Sequence, residues 1–413
     1  MADATRTLRS VLDTLEGVEP PSTSAEEWRY SRIDSLDLAR WTVPAAPGPA
    51  APDVPADLDP VISGAAAVVV LEDGFMVRRE VADAAAAVGL VVARAADVPG
   101  AAAPGVVMVE ATDQFAALNT ALAVDAVVVD VPAGKDVPGP VVVVSHTATD
   151  GTTCTPRLVV RAGADSSVTV VEVQVSADVA ALVAPVTELA VGPAARVRYS
   201  VLQDLGPRVW QVGSLVAEVS RDATLDAAVA ALGGEYARLR ADCRLTGPGA
   251  TGNLSSVYFA ERDQMLDLRT FQTHEAPNTT SNLLFKGAVA DTSHSVYTGM
   301  IRIGAEGRGT NAFQTNRNLK LGEHAWAESV PNLEIEHNDV RCSHASTVSP
   351  VDEDQRFYLE SRGVPTAVAE RLIVAGFFDE VLDDWPVPAV ADAVRARLAE
   401  RLDRQVPRSG EGE

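Results

Sequence analysis

The chain has 413 residues, 47% hydrophobic and 22% charged, enough apolar material for a large core and typical of a globular protein. Its 34 basic and 57 acidic side chains give a formal net charge of −23. Such a charge is repelled by phosphate backbones and anionic lipid, which counts against nucleic-acid or membrane binding.

Three cysteines, Cys154, Cys243 and Cys342, are too widely spaced to suggest a disulfide framework or a paired-cysteine metal site. Met1 to Ala4 lacks the basic-then-apolar pattern of a signal peptide, and the Ala/Val runs are too short to span a bilayer. The expected compartment is the reducing cytoplasm.

Residues 5–16 have a helical pattern, with Leu8, Val11, Leu12 and Leu15 on one side and Pro20-Pro21 as the stop. Glu27 to Ser31 is a compact aromatic segment suited to packing. Prolines 44, 47, 49, 52, 55 and 60 among alanines predict a linker over 44–60. Together with a mixed stretch to 110, these form an N-terminal helical and mixed region, 1–110. A helix is predicted over Phe115 to Leu122, and strands over Val127 to Val131 and Val141 to Ser145. Pro132 to Gly134 and Pro138 to Pro140 read as turns.

The centre, 111–347, reads as one architecture. Turn clusters at Ala162 to Asp165, Gly192 to Ala194, Arg221 to Ala223, Gly247 to Ala250, Ala276 to Asn278 and Gly304 to Gly307 recur about every 27–30 residues. Val/Ile/Thr/Tyr-rich runs lie between them, and helical segments are scarce. A mainly β chain with this period predicts a right-handed parallel β-helix, in which each rung buries its inner face by stacking on the next. A β-sandwich is the alternative. Polar residues crowd the later rungs: Asn282, Lys286, Asp291, His294, Asn311, Gln314, Asn316, Arg317 and Asn318.

Val340 to Thr347 is apolar-alternating and reads as a strand. Residues two apart on a strand face one side, so Cys342 and His344 project together, about 6–7 Å apart. Thiolate and imidazole are ligands for iron, zinc and iron–sulfur clusters, and two of them leave a four-ligand shell open. Glu334 and Glu336 share their parity if the strand runs unbroken, a parity that a turn at Asn338-Asp339 would break, and His337 stands in the same region. The C-terminal region, 348–413, reads as helical. Ser349 is the expected cap, Pro350 the first turn and Gly363 the stop. A second helix, Pro365 to Trp385, carries two i, i+4, i+8 rows, Ile373-Phe377-Val381 and Val374-Phe378-Leu382, which make a wide apolar stripe.

Several motifs fail in context. Gly307 to Ala312 fits a dinucleotide fingerprint, yet a strand and not a helix is expected after it. No P-loop, helical HExxH or nucleophile elbow is present.

Several ordered segments resemble the SufB/SufD family of iron–sulfur cluster assembly. They are Cys342 to Val348, Asp354 to Gly363, Gly376 to Val381, Asn282 to Gly287 and Gln314 to Leu319. The Cys-Ser-His order, and Leu359 where SufB chains carry a cysteine, are similar to the SufD branch. Ala345-Ser346 departs from the usual Gly-Ala. The resemblance implies a β-helix fold and a non-catalytic scaffold subunit. It also implies a SufB-like paralogue and a SufC-like ATPase as partners, with a transient iron–sulfur cluster at the partner interface. It implies that Cys342 and His344 serve that cluster and that the C-terminal helices receive the ATPase, for which Phe377, Phe378 and Val381 are the candidates. It leaves open a flavin and a homodimer of the isolated chain. The alternatives are a SufB-like primary scaffold and a β-helix carbohydrate-active enzyme, for which Asp263, Asp267 and Glu275 are the available carboxylates.

Overall fold

In the computed structural model, residues 7–15, 21–48, 54–98 and 105–405 are described. Pro20 of the expected helix stop, and Pro49 and Pro52 of the expected linker, lie outside them.

The predicted β-helix is the fold observed, a parallel solenoid of about eight turns with helices at both ends. From Val127 to Pro350 the chain passes repeatedly between two sheets, and every strand pairing within this stretch is parallel. The period has a local cause. At one corner of successive rungs stands a residue with left-handed backbone: Asp165, Ala194, Asp222, Gly249, Asn278 and Gly309. Gly, Asn and Asp tolerate that conformation, so the corner selects them. Each of these residues donates its N–H to the next turn, for example Asp165 to the Pro193 carbonyl at 2.8 Å and Gly309 to that of Asp339 at 2.7 Å. The corners therefore stack as a ladder and hold the register of the strands.

Inward-facing Val, Leu and Ala side chains fill the bore, among them Val129, Val160, Leu189, Val201, Leu225, Leu254 and Leu283. At the N-terminal end each sheet finishes on an antiparallel strand, Phe75–Val81 beside Ala67–Glu72 and Val91–Arg94 beside Val127–Val131. At the C-terminal end the sheets finish on Trp326–Ile335 and Arg341–Pro350, each paired along one edge.

The helices Thr366–Leu382 and Pro388–Gln405 cover the outer face of the sheet that ends in Arg341–Pro350. Val374, Phe378, Val381, Leu382 and Trp385 pack on Val257, Phe259 and Ala288. Arg397 and Arg401 pair with Asp204 at 3.0 and 2.7 Å, and Arg404 with Glu261 at 2.7 Å. At the other end, Trp28 is buried under Arg238 and beside Phe115. Arg238 and Arg269 also donate to the Glu27 and Arg29 carbonyls at 2.7 and 2.6 Å.

Three local expectations are corrected. Ser349 and Pro350 still belong to the last strand, and Asp352 caps the helix Glu353–Ser361 by accepting from the backbone N–H groups of Asp354 and Gln355. A carboxylate next to the helix start outcompetes a serine that the ladder holds extended. Pro138 to Pro140 lies inside the strand Asp136–Thr147, where a register shift absorbs the prolines. The N-terminal helix is short, Leu8–Leu12.

Candidate functional site at the C-terminal mouth of the solenoid

The strand Arg341–Pro350 lies on Asn311–Lys320 with Cys342 opposite Ala312, His344 opposite Gln314 and Ser346 opposite Asn316. Ala312, Gln314 and Asn316 are buried in the bore. Cys342, His344 and Ser346 therefore share the inner face of the last rung, where no further rung covers them. Two contacts confirm this direction. Cys342 packs with Ile301, Ile303, Ala312 and Leu333, and the Ser346 hydroxyl donates across the bore to Ser329 at 2.7 Å. Cys342 is half-buried and His344 exposed. Burial pushes the Cys342 thiol above its ordinary range.

The floor beneath this mouth is a polar network. The Tyr258 hydroxyl donates to Asn318 at 2.6 Å and accepts from the Asn316 amide at 2.8 Å, while Asn318 donates to Asn316 at 2.8 Å. Tyr258 starts two rungs below these asparagines and reaches them past Gly287. A Cβ at Gly287 would stand 1.9 Å from the tyrosine ring, so only glycine leaves the passage open. Gln314 lies over Gly299, fully buried, and both ends of its amide lack a hydrogen-bond partner.

The carboxylates fall elsewhere. The strand Trp326–Ile335 ends before Glu336, and Asn338-Asp339 is a bend, so parity does not carry across. Glu334 and Glu336 lie on the outside of the opposite sheet and pair with Arg302 at 3.3 and 3.6 Å. They are corrected out of the Cys/His face. His337 accepts the Asp339 backbone N–H at 3.0 Å and so holds that bend. Among the described residues no group of three or more His, Cys, Asp or Glu is arranged to hold a metal ion. Cys342 and His344 are two candidate donors on one face and do not make a complete site by themselves.

The apolar stripe of the second helix is also corrected. Phe378 and Val381 are buried against the solenoid, with Phe378 tilted on Phe259 at 6.4 Å. Phe377 is partly buried, and its carbonyl accepts from Lys286 at 2.7 Å. The ammonium of Lys286 also lies 4.4 Å over the Phe377 ring and pairs with Glu380. Among the described residues, the exposed large apolar side chains on the C-terminal helices are Phe357, Tyr358 and Leu372, at 70%, 56% and 53% exposure. The carboxylates of the enzyme alternative are engaged or dispersed: Asp267 accepts from Tyr236, Arg238 and Arg269, and Glu275 from Arg244, while Asp263 sits in an exposed turn.

Residues 144–377 match the family model described as the SufBD core domain of SUF-system iron–sulfur cluster assembly. The chain belongs to the SufBD family. An iron–sulfur cluster assembly SufBD family protein of Mycobacterium tuberculosis is 37% identical over 224 residues, 52% of this chain and 56% of the relative. The iron–sulfur cluster assembly protein SufD of Escherichia coli is 32% identical over 184 residues, 45% of this chain and 44% of the relative. The chloroplastic protein ABCI7 of Arabidopsis thaliana is 27% identical over 293 residues, 68% of this chain and 62% of the relative. The chain thus spans about half the length of the first of these SufBD relatives.

The sequence reading placed Cys342 and His344 on one face but missed the floor beneath them. Tyr258 and Gly287 are 29 residues apart, one rung in the repeat, and that spacing was the available signal. For Phe357 and Tyr358 the signal was two large apolar residues in a helix whose other side chains are mostly charged or polar.

Proposed function

We propose that this SufBD chain is a SufD-type, non-catalytic scaffold subunit. It acts in the cytoplasm with a SufB-like paralogue and a SufC-like ATPase, in a complex that assembles iron–sulfur clusters and hands them on. One observation carries this reading: a thiol and an imidazole share the inner face of the last rung, at the open end of both sheets. An open strand edge is a template for a second chain. The paralogue adds to the edges at Trp326–Ile335 and Arg341–Pro350 and supplies the missing ligands. The cluster is cargo, held transiently between the two chains by soft donors that match iron. In this division, 111–347 forms the scaffold and 348–413 the docking region. Phe357, Tyr358 and Leu372 offer the ATPase an accessible apolar surface, which the buried Phe378 and Val381 do not.

Co-expression of the three chains tests the proposal. The expected product is a stable complex that gains iron–sulfur absorption when purified anaerobically. Phe357→Asp with Leu372→Asp should lose the ATPase and keep the paralogue. A chain that co-purifies with neither partner would refute the reading, and retention of the ATPase by the folded double variant would refute the docking surface.

A further inference from the structure

Gln314 is out of keeping with the rest of the floor. Asn316 and Asn318, on the same strand and face, are tied to each other and to Tyr258. Gln314 is fully buried, and neither its carboxamide oxygen nor its nitrogen has a partner. A buried amide that has left water without gaining a hydrogen bond destabilises the fold, and native chains keep few of them. Such a group calls for an explanation, a bound ion or a functional partner among them. Gln272 shares the feature, and Gln314 is the one next to the mouth.

Its position names the partner. Gln314 is the ladder neighbour of His344, on the adjacent strand and the same inner face. Parallel ladder neighbours stand about 4.8 Å apart, within reach of a glutamine side chain. The His344 side chain is exposed in the open mouth. An imidazole that binds a metal through one nitrogen almost always donates the N–H of the other to a nearby oxygen, which fixes tautomer and ring orientation. Cys342 is the other proposed ligand and so is not the acceptor for that N–H. Asn316 and Asn318 are already committed.

We infer that Gln314 is a positioning residue for His344: its carboxamide oxygen accepts the inner ring N–H when the outer nitrogen takes up a metal. Gly299 leaves room for the Gln314 amide where it now lies, since a Cβ there would meet it at 2.3 Å, and from there the side chain turns to the ring one rung above. The inference rests on the reading of His344 as a ligand.

The test is a set of variants in the co-purified complex, with Zn2+ alone as a redox-silent probe and affinity measured by chelator competition. Gln314→Leu keeps the volume and removes the acceptor. It should weaken Zn2+ binding by about 10–100-fold, the usual cost of losing such a partner. Gln314→Glu keeps the acceptor and should restore most of the affinity. In a His344→Ala background, Gln314→Leu should cost nothing further, because the residue acts through the ring. The isolated chain supplies a second readout. Gln314→Leu should leave its melting temperature unchanged or raise it, since an unsatisfied amide is removed. A lowered melting temperature with unchanged Zn2+ affinity would make Gln314 merely structural and overturn the inference. So would equal Zn2+ affinity in Gln314→Leu and the wild type, provided that His344→Ala weakens binding. If His344→Ala leaves Zn2+ affinity unchanged, the ligand reading itself fails.

Discussion

Replacing Gly287 with alanine should disorder the floor of the mouth without touching its ligands. The new methyl carbon would lie 1.9 Å from Tyr258 Cε2 and 2.3 Å from Cζ. Ordinary contact needs more than 1 Å beyond that, so the ring must retreat. Its hydroxyl is held by bonds of 2.6 and 2.8 Å, which such a retreat breaks. Overpacking costs about 1–3 kcal/mol, and each orphaned buried hydrogen bond costs about 1 kcal/mol or more. Alanine returns about 0.5–1 kcal/mol over glycine in a strand. The balance is a local loss of about 3 kcal/mol, or about a 100-fold rise in the opening equilibrium. Amide hydrogen exchange is the assay, read on 251–260, 280–289 and 311–320. Exchange there should accelerate by about that factor, with 127–191 unchanged. Adding Tyr258→Leu should remove most of the penalty specific to Gly287→Ala. Unchanged exchange in the single variant would refute the claim that the tyrosine needs the glycine gap.

Other outcomes follow from single residues. His274 is buried between Thr279 and Ser281, and burial lowers its pKa to about 4. Its folded pKa lies below the unfolded value, so stability is complete above about pH 6.5 and falls as pH drops towards 4, by up to about 3 kcal/mol. Urea midpoints across that range should fall more steeply for the wild type than for His274→Asn. Ala194 holds a left-handed corner at φ 58° where its neighbours in the ladder are mostly Asp, Asn or Gly. Ala194→Gly should stabilise the chain by about 1 kcal/mol, read as a raised urea midpoint. Glu380→Ala leaves the buried Lys286 ammonium with the Phe377 carbonyl and ring and should loosen the helix Thr366–Leu382 by about 1–3 kcal/mol. Hydrogen exchange in that helix should report it, and Lys286→Met added to Glu380→Ala should recover the loss.

The solenoid was legible because its signal repeats. One left-handed corner per rung places Gly, Asn and Asp at a nearly constant interval, and the strands between them need no helix to explain them. The Cys342–His344 pair was legible because strand parity is local. Parity failed at Glu334 because the chain bends at Asn338-Asp339, a turn signal that the sequence carries, and changes sheets there. The apolar stripe of the second helix was read correctly as a stripe, but its partner was not. Whether Phe378 faces a second chain or its own solenoid depends on Phe259, more than a hundred positions away. The reach of Tyr258 to Asn316 and Asn318 is likewise a contact across rungs, visible only once the register is known.

The central claim is that His344, with Cys342, holds cargo at the mouth of the solenoid. It is tested most directly by cluster content per purified three-chain complex, from visible absorption and iron analysis, in the wild type and in His344→Ala. His344 is exposed and makes no core contact, so the variant should assemble with normal subunit ratio. The account predicts that this assembled complex carries little or no cluster. Wild-type cluster content in the same complex would contradict it.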